Sequence, residues 1–394
     1  MIDKKLKILY INAMGPTERN PQGGIFVTHR IKALTELGVQ VIPVSFGLEY
    51  SRLVNKILTL KNISLIGRYI SKQSGVDYEV ITAKINIIDM VLQKIIPDIF
   101  QNKIFKALER KFNQEKEIDL IHVHWFWPAA LGVEKYSEKY NIPYVITCHG
   151  SEINITMENC QIRDTMIDVL EKAVKVEFIS YALLNKARQL GYSGKNAVVI
   201  YNGIDTNTFT TAHTDNNKKT VGFVGNLIPV KGADRLPYIF NEIYERVKGN
   251  IEFVVVGQGD LFERLQKETC TLPVRFTGQL GSEDLAREYS FMDILVVPSR
   301  SEGYSCAIKE AQACGVTPIG NNVGGIKEAI GEFGILIDAE SEQELIEQFA
   351  IEAVKCLNKK TSFDTEQMIR QARKCSWDCR QKESLDLYKT IIHS

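Results

Sequence analysis

Short apolar runs that end in Gly- or Pro-rich loops recur along the first half of the chain. The first is Lys7–Asn12, followed by an amphipathic segment, Val27–Leu37, that stops at Gly38, and by a second apolar run, Val39–Ser45. An apolar run bounded by turn residues is typical of a buried parallel strand, and apolar positions at three- and four-residue spacing predict a helix. The order strand, helix, strand predicts a βαβ unit, which requires a parallel sheet.

The same alternation continues along the chain in two blocks that a polar segment separates. Residues 205–219 (DTNTFTTAHTDNNKK) are rich in Thr and Asn and poor in large apolar residues, which predicts a linker. The further predicted strands are Leu120–His124, Tyr144–Cys148, Val176–Ser180 and Ala197–Tyr201 before it, and Val221–Val224, Glu252–Val256, Val274–Thr277, Ile294–Val297, Thr317–Ile319 and Gly334–Ile337 after it. We therefore expect an α/β protein with two doubly wound, parallel-sheet domains that face each other across a cleft.

Length, composition and charge agree with this organisation. The 394 residues exceed the roughly 250 at which single cores stop growing, and the formal net charge of zero argues against nucleic-acid binding. The eight cysteines include no CxxC pair, which indicates reduced thiols, and the N-terminus has no signal-peptide pattern. No apolar run reaches the roughly 18 to 20 residues of a membrane span, so we expect a cytoplasmic protein.

Residues 50–116 interrupt the alternation. The segment 51–72 carries five basic residues and no acidic one, with apolar residues at near-helical spacing, and therefore predicts a basic amphipathic helix. Such a helix either packs its apolar face on the sheet or lies on an anionic membrane surface. Both interpretations stay open at this point, and the second places the protein at the inner face of the cell membrane.

Candidate chemistry in the first half lies at predicted strand ends, where doubly wound sheets bind ligands. Gly23 and Gly24, between a strand and a helix, either let backbone amides approach a ligand closely or form an ordinary tight turn. His122 and His124 point to the same side of a strand and could share a metal ion. No third ligand follows at suitable spacing, so we expect no metal site and a hydrogen-bonded interior role for one of the two.

His149 stands where the predicted strand Tyr144–Cys148 ends. Its imidazole is expected to enter the cleft, where histidine donates a hydrogen bond to a hydroxyl or transfers a proton near neutral pH. The alternative is a loop histidine without a function.

The second half contains two loops of the same kind. Lys231 precedes a predicted helix, so it can reach a diphosphate as a point charge while the helix start adds backbone donors; the alternative is a solvated lysine. Glu302 and Glu310 follow the predicted strand Ile294–Val297 with seven residues between them. A carboxylate accepts hydrogen bonds from sugar hydroxyls or from both hydroxyls of a ribose, although two glutamates could also line one solvated helix face.

As a set, these segments resemble the family 4 retaining glycosyltransferases of the GT-B fold. The matching residues, in the family's order, are Gly23-Gly24, His149-Gly150, Asn202-Gly203-Ile204-Asp205, Val224-Gly225 with Lys231-Gly232, Val256-Gly257-Gln258-Gly259, and the pair Glu302 and Glu310.

The resemblance implies two Rossmann-like domains: an acceptor-binding domain over residues 1–205 and a donor-binding domain over 206–375. Residues 376–394 would form a helix that crosses back to the N-terminal domain. The implied activity is that of a retaining hexosyltransferase, which moves a sugar from a nucleotide-diphosphate sugar, a UDP-sugar, to a hydroxyl of a sugar or lipid-linked glycan. It needs no metal or other cofactor and serves the assembly of cell-surface polysaccharide or glycoconjugate.

The resemblance also assigns residues. The implied catalytic residues are His149, Lys231 and Glu302. The implied donor-binding residues are Gly23, Gly24, Asn226, Lys231, Gly303, Tyr304, Ser305, Glu310, Gly278 and Leu280.

Two positions depart from the family's pattern. Asn226 stands where the family commonly has Arg, and an amide supplies neither the charge nor the bidentate geometry of a guanidinium. Glu152 stands where an Asp is common, so no role is assigned to it. Asn226 favours a second interpretation, a catalytically silent donor-binding partner of another transferase; a third is a sugar phosphorylase or nucleotide-sugar epimerase on the same fold.

Overall fold

The computed structural model of the protein describes residues 5–51, 54, 56, 68–92, 98–113, 117–210, 218–247, 249–359 and 361–393. The chain divides into two compact units. Unit 1 comprises Met1–Ile179, Leu183–Ile200 and Arg380–Ser394, and unit 2 comprises Ser180–Ala182 and Tyr201–Cys379.

Unit 1 is built on a parallel sheet of seven strands. The strands of this unit are β1 (Lys7–Asn12), β2 (Gln40–Tyr50), β3 (Lys72–Gln73), β4 (Val76–Asp77), β5 (Glu79–Ile85), β6 (Leu120–His124), β7 (Tyr144–Cys148), β8 (Lys175–Phe178) and β9 (Ala197–Val199). The first helices are α1 (Ile25–Glu36), α2 (Ile87–Leu92), α3 (Ile99–Phe112), α4 (Ala129–Tyr140), α5 (Ser151–Asn154), α6 (Cys160–Lys172) and α7 (Tyr181–Gln189).

The strand order of this sheet is β5-β2-β1-β6-β7-β8-β9, and β3 and β4 form a separate antiparallel pair. Every residue of β6 and β7 is buried, as expected for central strands covered on both faces. The order reverses direction between β1 and β6, so the crevice at the carboxyl ends of these two strands is the place where such a sheet binds ligands.

Unit 2 repeats this plan with six parallel strands in the order β12-β11-β10-β13-β14-β15. Its strands are β10 (Lys219–Val224), β11 (Ile251–Val256), β12 (Val274–Gly278), β13 (Ile294–Val297), β14 (Thr317–Asn321) and β15 (Ile335–Ile337). Its helices are α8 (Leu236–Val247), α9 (Phe262–Glu268), α10 (Ser282–Ser290), α11 (Cys306–Ala313), α12 (Ile326–Ile330), α13 (Glu342–Leu357) and α14 (Thr365–Arg373). The switch point of this sheet lies between β10 and β13.

The last helix, α15 (Trp377–His393), begins in unit 2 and contributes most of its length to unit 1. Its apolar side chains Leu385, Tyr388 and Ile391 are buried in the same cluster as Ile8 and Val145 of the sheet of unit 1. No helix among the residues that the structure describes is both long and apolar enough to cross a membrane.

The predicted strands are confirmed: four have the predicted bounds, and the other eight shift by one to five residues at one or both ends. The structure adds one strand to the predicted sheets and corrects two predictions, the linker and the basic helix. The added strand is β5, which was not predicted because its sequence mixes polar and apolar residues as an edge strand does. In the predicted linker, Lys219 begins β10, and the Asp205 carboxylate accepts bonds from the backbone N–H groups of Asn207 and Thr208, so residues 205–208 form an ordered turn. Residues 211–217 lie outside the described residues.

The predicted basic helix over 51–72 falls largely outside the described residues. Of its basic residues, Arg52 and Lys61 are not described, and Lys56 is helical. The end of the segment is not a helix: Tyr69 forms an isolated β-bridge with Thr17, the Ile70 N–H donates to the Pro16 carbonyl, and Lys72 begins β3. Pairing with the loop after β1 therefore replaces helical hydrogen bonds there.

A charged pair is completely buried in unit 1. Arg30 of α1 donates through Nη1 to Glu177 Oε2 of β8 at 2.9 Å, and both side chains are fully shielded from solvent. The Thr147 hydroxyl of β7 donates to the same carboxylate oxygen at 3.0 Å and accepts from Arg30 at 3.1 Å. Burial acts to lower the pKa of Arg30, but the Glu177 carboxylate raises it and the net shift is upward, so the guanidinium stays charged.

This pair continues into a chain of hydrogen bonds that reaches α15. His122 Nε2 of β6 lies 2.7 Å from the Thr147 hydroxyl, and His122 Nδ1 lies 2.6 Å from the Tyr388 hydroxyl. Thr147 gives its single proton to Glu177, so His122 Nε2–H donates to Thr147 and Nδ1 accepts from Tyr388. One network therefore connects α1, three strands of the sheet and α15.

We expect Arg30→Leu to lower the free energy of unfolding of unit 1 by about 3–5 kcal/mol, because Glu177 would be left as an uncompensated buried charge. The double variant Arg30→Leu/Glu177→Leu should recover more than half of this loss, since two apolar side chains carry no such penalty. Urea titration followed by circular dichroism measures both values.

The exposed pair Arg264–Glu268 of α9 supplies the control. Arg264→Leu should leave the free energy of unfolding nearly unchanged, because an exposed ion pair contributes little to stability. Equal losses in the Arg30 single and double variants would show that the buried charge of Glu177 is not the cause.

Candidate functional site

Two loops at the switch point of unit 2 bring Lys231 and Glu302 together. The loops follow the adjacent strands β10 and β13. Lys231 Nζ lies 2.8 Å from Glu302 Oε1 and 2.6 Å from Oε2, and the Ser299 hydroxyl lies 3.4 Å from Oε2. The lysine side chain is 30% exposed and the glutamate side chain 9% exposed. The predicted phosphate-binding cation and the predicted sugar-binding carboxylate thus form one partly buried ion pair.

Gly232 explains why the lysine loop lies so close to the glutamate loop. Its φ of 69° is left-handed and ends the short 3₁₀ turn Pro229–Lys231. A Cβ at this position would lie 1.9 Å from the Pro298 carbonyl oxygen, so only glycine permits this approach. The Arg300 N–H, which donates to the Val230 carbonyl at 2.9 Å, then joins the two loops.

A glycine pair that sequence reasoning did not select supports Glu302 from the other side. Gly325 N–H donates to the Glu302 carbonyl at 3.0 Å, and a Cβ at Gly324 would lie 2.0 Å from the same oxygen. Both glycines follow β14 and precede α12. The signal was available, because a Gly-Gly pair between a strand and a helix is the pattern that drew attention to Gly23 and Gly24.

Glu310 lies in α11, eight residues after Glu302, and is held by a buried tyrosine. The Tyr289 hydroxyl lies 3.4 Å from Glu310 Oε2 and 3.2 Å from the Ala307 carbonyl. Burial raises the pKa of Glu310 to about 7; the Tyr289 bond acts in the opposite direction, and nearby Asp205 adds to the rise. The carboxyl group of the free protein therefore binds a proton more readily than an exposed glutamate does. Tyr289 and Asp205 were not predicted as part of the site.

The remaining predicted donor-binding residues of unit 2 lie at the same carboxyl edge of its sheet. Asn226 is exposed two residues after β10, Gly278 ends β12 with a left-handed φ of 72°, and Leu280 follows it half-buried. Gly303 and Tyr304 lie in the glutamate loop, and Ser305 is the N-cap of α11, where its side chain makes no capping bond. The predicted side chains that the structure pairs directly in this unit are Lys231 and Glu302, which form the centre of the site.

In unit 1 the predicted glycine pair forms a tight turn at the switch point. Gly24 has a left-handed φ of 63° and caps α1, and a Cβ there would lie 2.3 Å from Asn12 Nδ2. The Gly23 carbonyl accepts from Gln73 Nε2 at 3.0 Å. Gly24 is thus required by the close approach of the turn to Asn12 at the end of β1.

His149 follows β7 and contacts two aromatic side chains. Its ring stacks on Trp125, with centroids 4.0 Å apart and planes inclined by 18°. Its Nε2 lies 3.0 Å from His124 Nδ1 at the end of β6. Burial, with Arg30 and then His122 contributing, holds the pKa of His149 well below its usual range, so the ring is neutral at pH 7.

Glu152 holds the turn that carries His149. Its Oε1 accepts from the His149 N–H at 2.9 Å and its Oε2 from the Gly150 N–H at 3.1 Å. Gly150 has a φ of 132°, which glycine adopts readily. The sequence left Glu152 without a role, and the structure gives it a clear one: its carboxylate satisfies two backbone donors at the strand end.

The two histidines of β6 are both hydrogen-bonded inside unit 1. His122 bonds Tyr388 and Thr147, and His124 bonds His149, so both side chains have the interior role expected for one of them. Within the described ranges, no group of three or more His, Cys, Asp or Glu side chains is arranged to hold a metal ion.

Family models match both units of this chain. The model described as Glycosyltransferase Family 4 matches residues 24–208, which carry His149. The model described as Glycosyl transferases group 1 matches residues 218–352, which carry Lys231, Glu302 and Glu310.

Relatives of known name are similar at low identity. TuaC of Bacillus subtilis, named as a glycosyltransferase of teichuronic acid biosynthesis, is 26% identical over 87% of this chain and 88% of its own length. An uncharacterized glycosyltransferase of Methanocaldococcus jannaschii is 29% identical over 60% of this chain, and the match spans only 65% of that relative. A GDP-mannose-dependent alpha-mannosyltransferase of Corynebacterium glutamicum is 38% identical over 33% of this chain and 30% of its own length.

Solved structures share the fold. HepE of Anabaena, in complex with UDP and glucose, matches 98% of this chain and 100% of its own with a TM-score of 0.68 at 18% identity. A sucrose-phosphate synthase of Thermosynechococcus elongatus matches 99% of this chain and 100% of its own with a TM-score of 0.70 at 18% identity. With family models on both units and two parallel-sheet, Rossmann-like units of this kind, the chain belongs to the family 4-type glycosyltransferases of the GT-B fold.

Proposed function

We propose that the protein transfers a hexose from a nucleotide-diphosphate sugar to an acceptor hydroxyl, with retention of the anomeric configuration. The observation that carries the proposal is the ion pair of Lys231 with Glu302 at the switch point of unit 2. A diphosphate would bind the Lys231 ammonium group in place of Glu302. The Glu302 carboxylate would then be available to accept hydrogen bonds from sugar hydroxyls. Glu310 would accept from the ribose hydroxyls.

Catalysis would rest on stabilising the leaving group. The bond between the anomeric carbon and the diphosphate oxygen breaks, the acceptor oxygen bonds to that carbon on the same face, and the acceptor proton passes to a diphosphate oxygen. Negative charge builds on the diphosphate in the transition state, where a fixed ammonium group and first-turn amides lower its energy. In this proposal Lys231 supplies the positive charge, and no metal ion is needed.

The chemical classes of the donor and the acceptor are proposed only from the similarity of this chain to other proteins. HepE, which shares the fold, binds UDP and UDP-glucose in its solved structures, which favours a UDP-sugar as the donor to test first. The likeness to TuaC favours an acceptor in cell-surface polysaccharide assembly, a sugar or lipid-linked glycan. A peripheral contact of residues 51–72 with an anionic membrane stays a prediction, which flotation with anionic liposomes would test.

The first experiment measures nucleotide release by the purified protein from a panel of UDP-, GDP-, ADP- and dTDP-sugars, with and without EDTA. We expect release from one donor, unaffected by EDTA, and a roughly 100- to 1,000-fold lower kcat in Lys231→Met, because the leaving group loses its cation. Lys267→Met, which removes the same charge from an exposed position of α9 in unit 2, is the matched control and should keep the wild-type rate.

Other outcomes identify the alternatives. Turnover with phosphate as the acceptor indicates a phosphorylase, and turnover without any acceptor that yields an isomeric sugar indicates an epimerase. Absence of nucleotide release from every donor, together with no thermal shift from any nucleotide, indicates a catalytically silent partner of another transferase. Inversion of the anomeric centre, observed by NMR of the product, would contradict the retaining mechanism.

Asn226→Arg should strengthen nucleotide binding. A guanidinium at the end of β10 would add charged hydrogen bonds, each worth about 1.5–3 kcal/mol, so we expect the Kd of the preferred nucleoside diphosphate to fall roughly 10- to 100-fold. Isothermal titration calorimetry measures the change. Asn241→Arg, which adds the same charge on an exposed position of α8, should leave Kd unchanged; equal gains in both variants would mean that only net charge matters.

Glu310 should make the stability of the free protein depend on pH. Folding raises its pKa from 4.5 to about 7, so the native state holds this proton more tightly than the unfolded chain does. Its stabilising contribution is complete below pH 4.5 and is lost as the pH rises through 7. Glu310→Gln imitates the protonated group, so its melting temperature relative to wild type should be higher at pH 8 than at pH 5. A difference that is the same at both pH values would contradict the raised pKa.

A further inference from the structure

We propose that Arg300 is a positioning residue that holds Lys231 where it binds the diphosphate of the donor. Arg300 lies in the glutamate loop (residues 298–305, between β13 and α11), and its side chain reaches the lysine loop (residues 225–235, between β10 and α8). The inference deepens the proposed function, because it rests on Lys231 as the group that binds the diphosphate. Both loops belong to unit 2, so the argument concerns this unit alone.

Arg300 binds the two backbone carbonyl groups that directly precede Lys231. Its Nη1 donates to the Pro229 carbonyl at 2.7 Å, and its backbone N–H donates to the Val230 carbonyl at 2.9 Å. The Pro229 carbonyl also accepts from the Gly232 N–H at 2.9 Å, which closes the 3₁₀ turn around Lys231. The backbone of the lysine is therefore held at this turn by a residue of the neighbouring loop.

Two carboxylates fix the orientation of the Arg300 guanidinium group. Asp234 accepts from it through both oxygens, at 2.7 and 3.0 Å, and Glu342 Oε1 accepts from Nη2 at 2.9 Å. A bidentate arginine–carboxylate pair that belongs to a network has the geometry in which even a partly exposed ion pair contributes. These bonds direct the guanidinium group toward the lysine loop.

Arg235 makes the reverse connection. It ends the lysine loop, and its Nη1 donates at 2.6 Å to the Pro298 carbonyl, where the glutamate loop begins. Its Nε and Nη2 donate to the two oxygens of Glu342 at 2.7 and 2.5 Å. Each loop therefore donates to a carbonyl of the other, and the two arginines share one carboxylate. The arginine brace formed in this way consists of Arg235, Arg300, Asp234 and Glu342.

The arginine brace becomes important when the pair of Lys231 with Glu302 opens. In the free protein this ion pair joins the two loops directly. A diphosphate that replaces Glu302 at the ammonium group removes that connection, and the hydrogen bonds of the brace remain. Because Arg300 fixes the backbone of the lysine, the ammonium group needs little reorganisation to stabilise the leaving group. Arg300 thus acts through Lys231 and does not contact the donor.

Hydrogen exchange measured by mass spectrometry tests the arginine brace without a substrate. In Arg300→Met the amides of Lys231 and Gly232, which donate to carbonyls of the turn, should exchange roughly tenfold faster than in wild type, because the turn opens locally. Arg246→Met in α8 is the matched control: Arg246 also has two carboxylate partners and is 32% exposed, against 36% for Arg300. It should leave exchange in the lysine loop unchanged. Unchanged exchange in Arg300→Met would overturn the inference.

Kinetics of double variants separate action through Lys231 from any other role. With the donor that wild type turns over, Arg300→Met should lower kcat roughly 10- to 100-fold and change KM less than about threefold, because the ammonium group still reaches a bound diphosphate but is no longer aligned. In a Lys231→Met background the same substitution should lower kcat less than about threefold further, since the residue that it positions is gone. Arg246→Met should keep the wild-type kinetics. Equal losses in both backgrounds would contradict the assignment.

Asp234→Asn decides between positioning and direct binding of the donor by Arg300. The amide keeps the shape of the side chain but removes the charge and one of the two oxygens that orient the guanidinium group. We expect kcat to fall roughly 3- to 30-fold, with a melting temperature close to that of wild type, because the brace is loosened. Tighter binding of the nucleoside diphosphate, measured by calorimetry, would show that the released guanidinium group contacts the donor, and the inference would fail. Absence of turnover with every donor would refute the proposed function and with it the role of Arg300, whereas faster exchange in Arg300→Met would still establish the brace.

Discussion

The buried pair of Arg30 with Glu177 is the constraint on which the architecture of unit 1 depends. A charge inside a sheet protein must be compensated on the spot, because moving it to the surface would pull apart the elements that carry it. The pair therefore determines how α1 lies against β8, and the shared Thr147 hydroxyl brings β7 into the same arrangement. His149 follows Thr147 by two residues, so the end of β7 that carries this histidine also contacts the buried ion pair through Thr147.

Unit 2 uses its charges in a different way. Lys231 and Glu302 are partly exposed, and they neutralise each other in the free protein rather than joining elements of the core. The Lys231 side chain is 30% exposed, so water or a ligand can reach its ammonium group at the sheet edge. A polyanionic ligand that replaces the carboxylate at the ammonium group leaves the carboxylate available to hydroxyls. Under the proposed function, the same two residues are paired without a ligand and complementary to one that carries both phosphates and hydroxyls.

The sequence predicted the strands, the two sheets and the residues at their carboxyl ends, because hydrophobic periodicity and the position of a residue after a strand are local properties. It did not predict the partners of those residues. Arg30 and Glu177 are 147 residues apart, and His122 and Tyr388 are 266 apart. Nothing in the neighbourhood of Tyr289 indicates that it holds Glu310, and the role of Glu152 depends on backbone N–H groups that only the folded turn presents. The edge strand β5 was missed because its exposure on one side weakens the apolar pattern.

The protonation states of the titratable side chains in each unit follow from burial and from the charged groups near them. In unit 1 the only fully buried cation among the described residues of the histidine cluster is already paired, and its field, together with burial, keeps His122, His124 and His149 neutral. A neutral ring can donate to an oxygen without binding a proton, so its contribution does not vary across the physiological pH range. In unit 2 burial raises the pKa of Glu310 to about 7, so under the proposed function the contact of this carboxyl group with the ribose would be the pH-sensitive one. Under the proposed function, any pH dependence of nucleotide binding should therefore come from Glu310 and the ligand itself, and none from the three histidines.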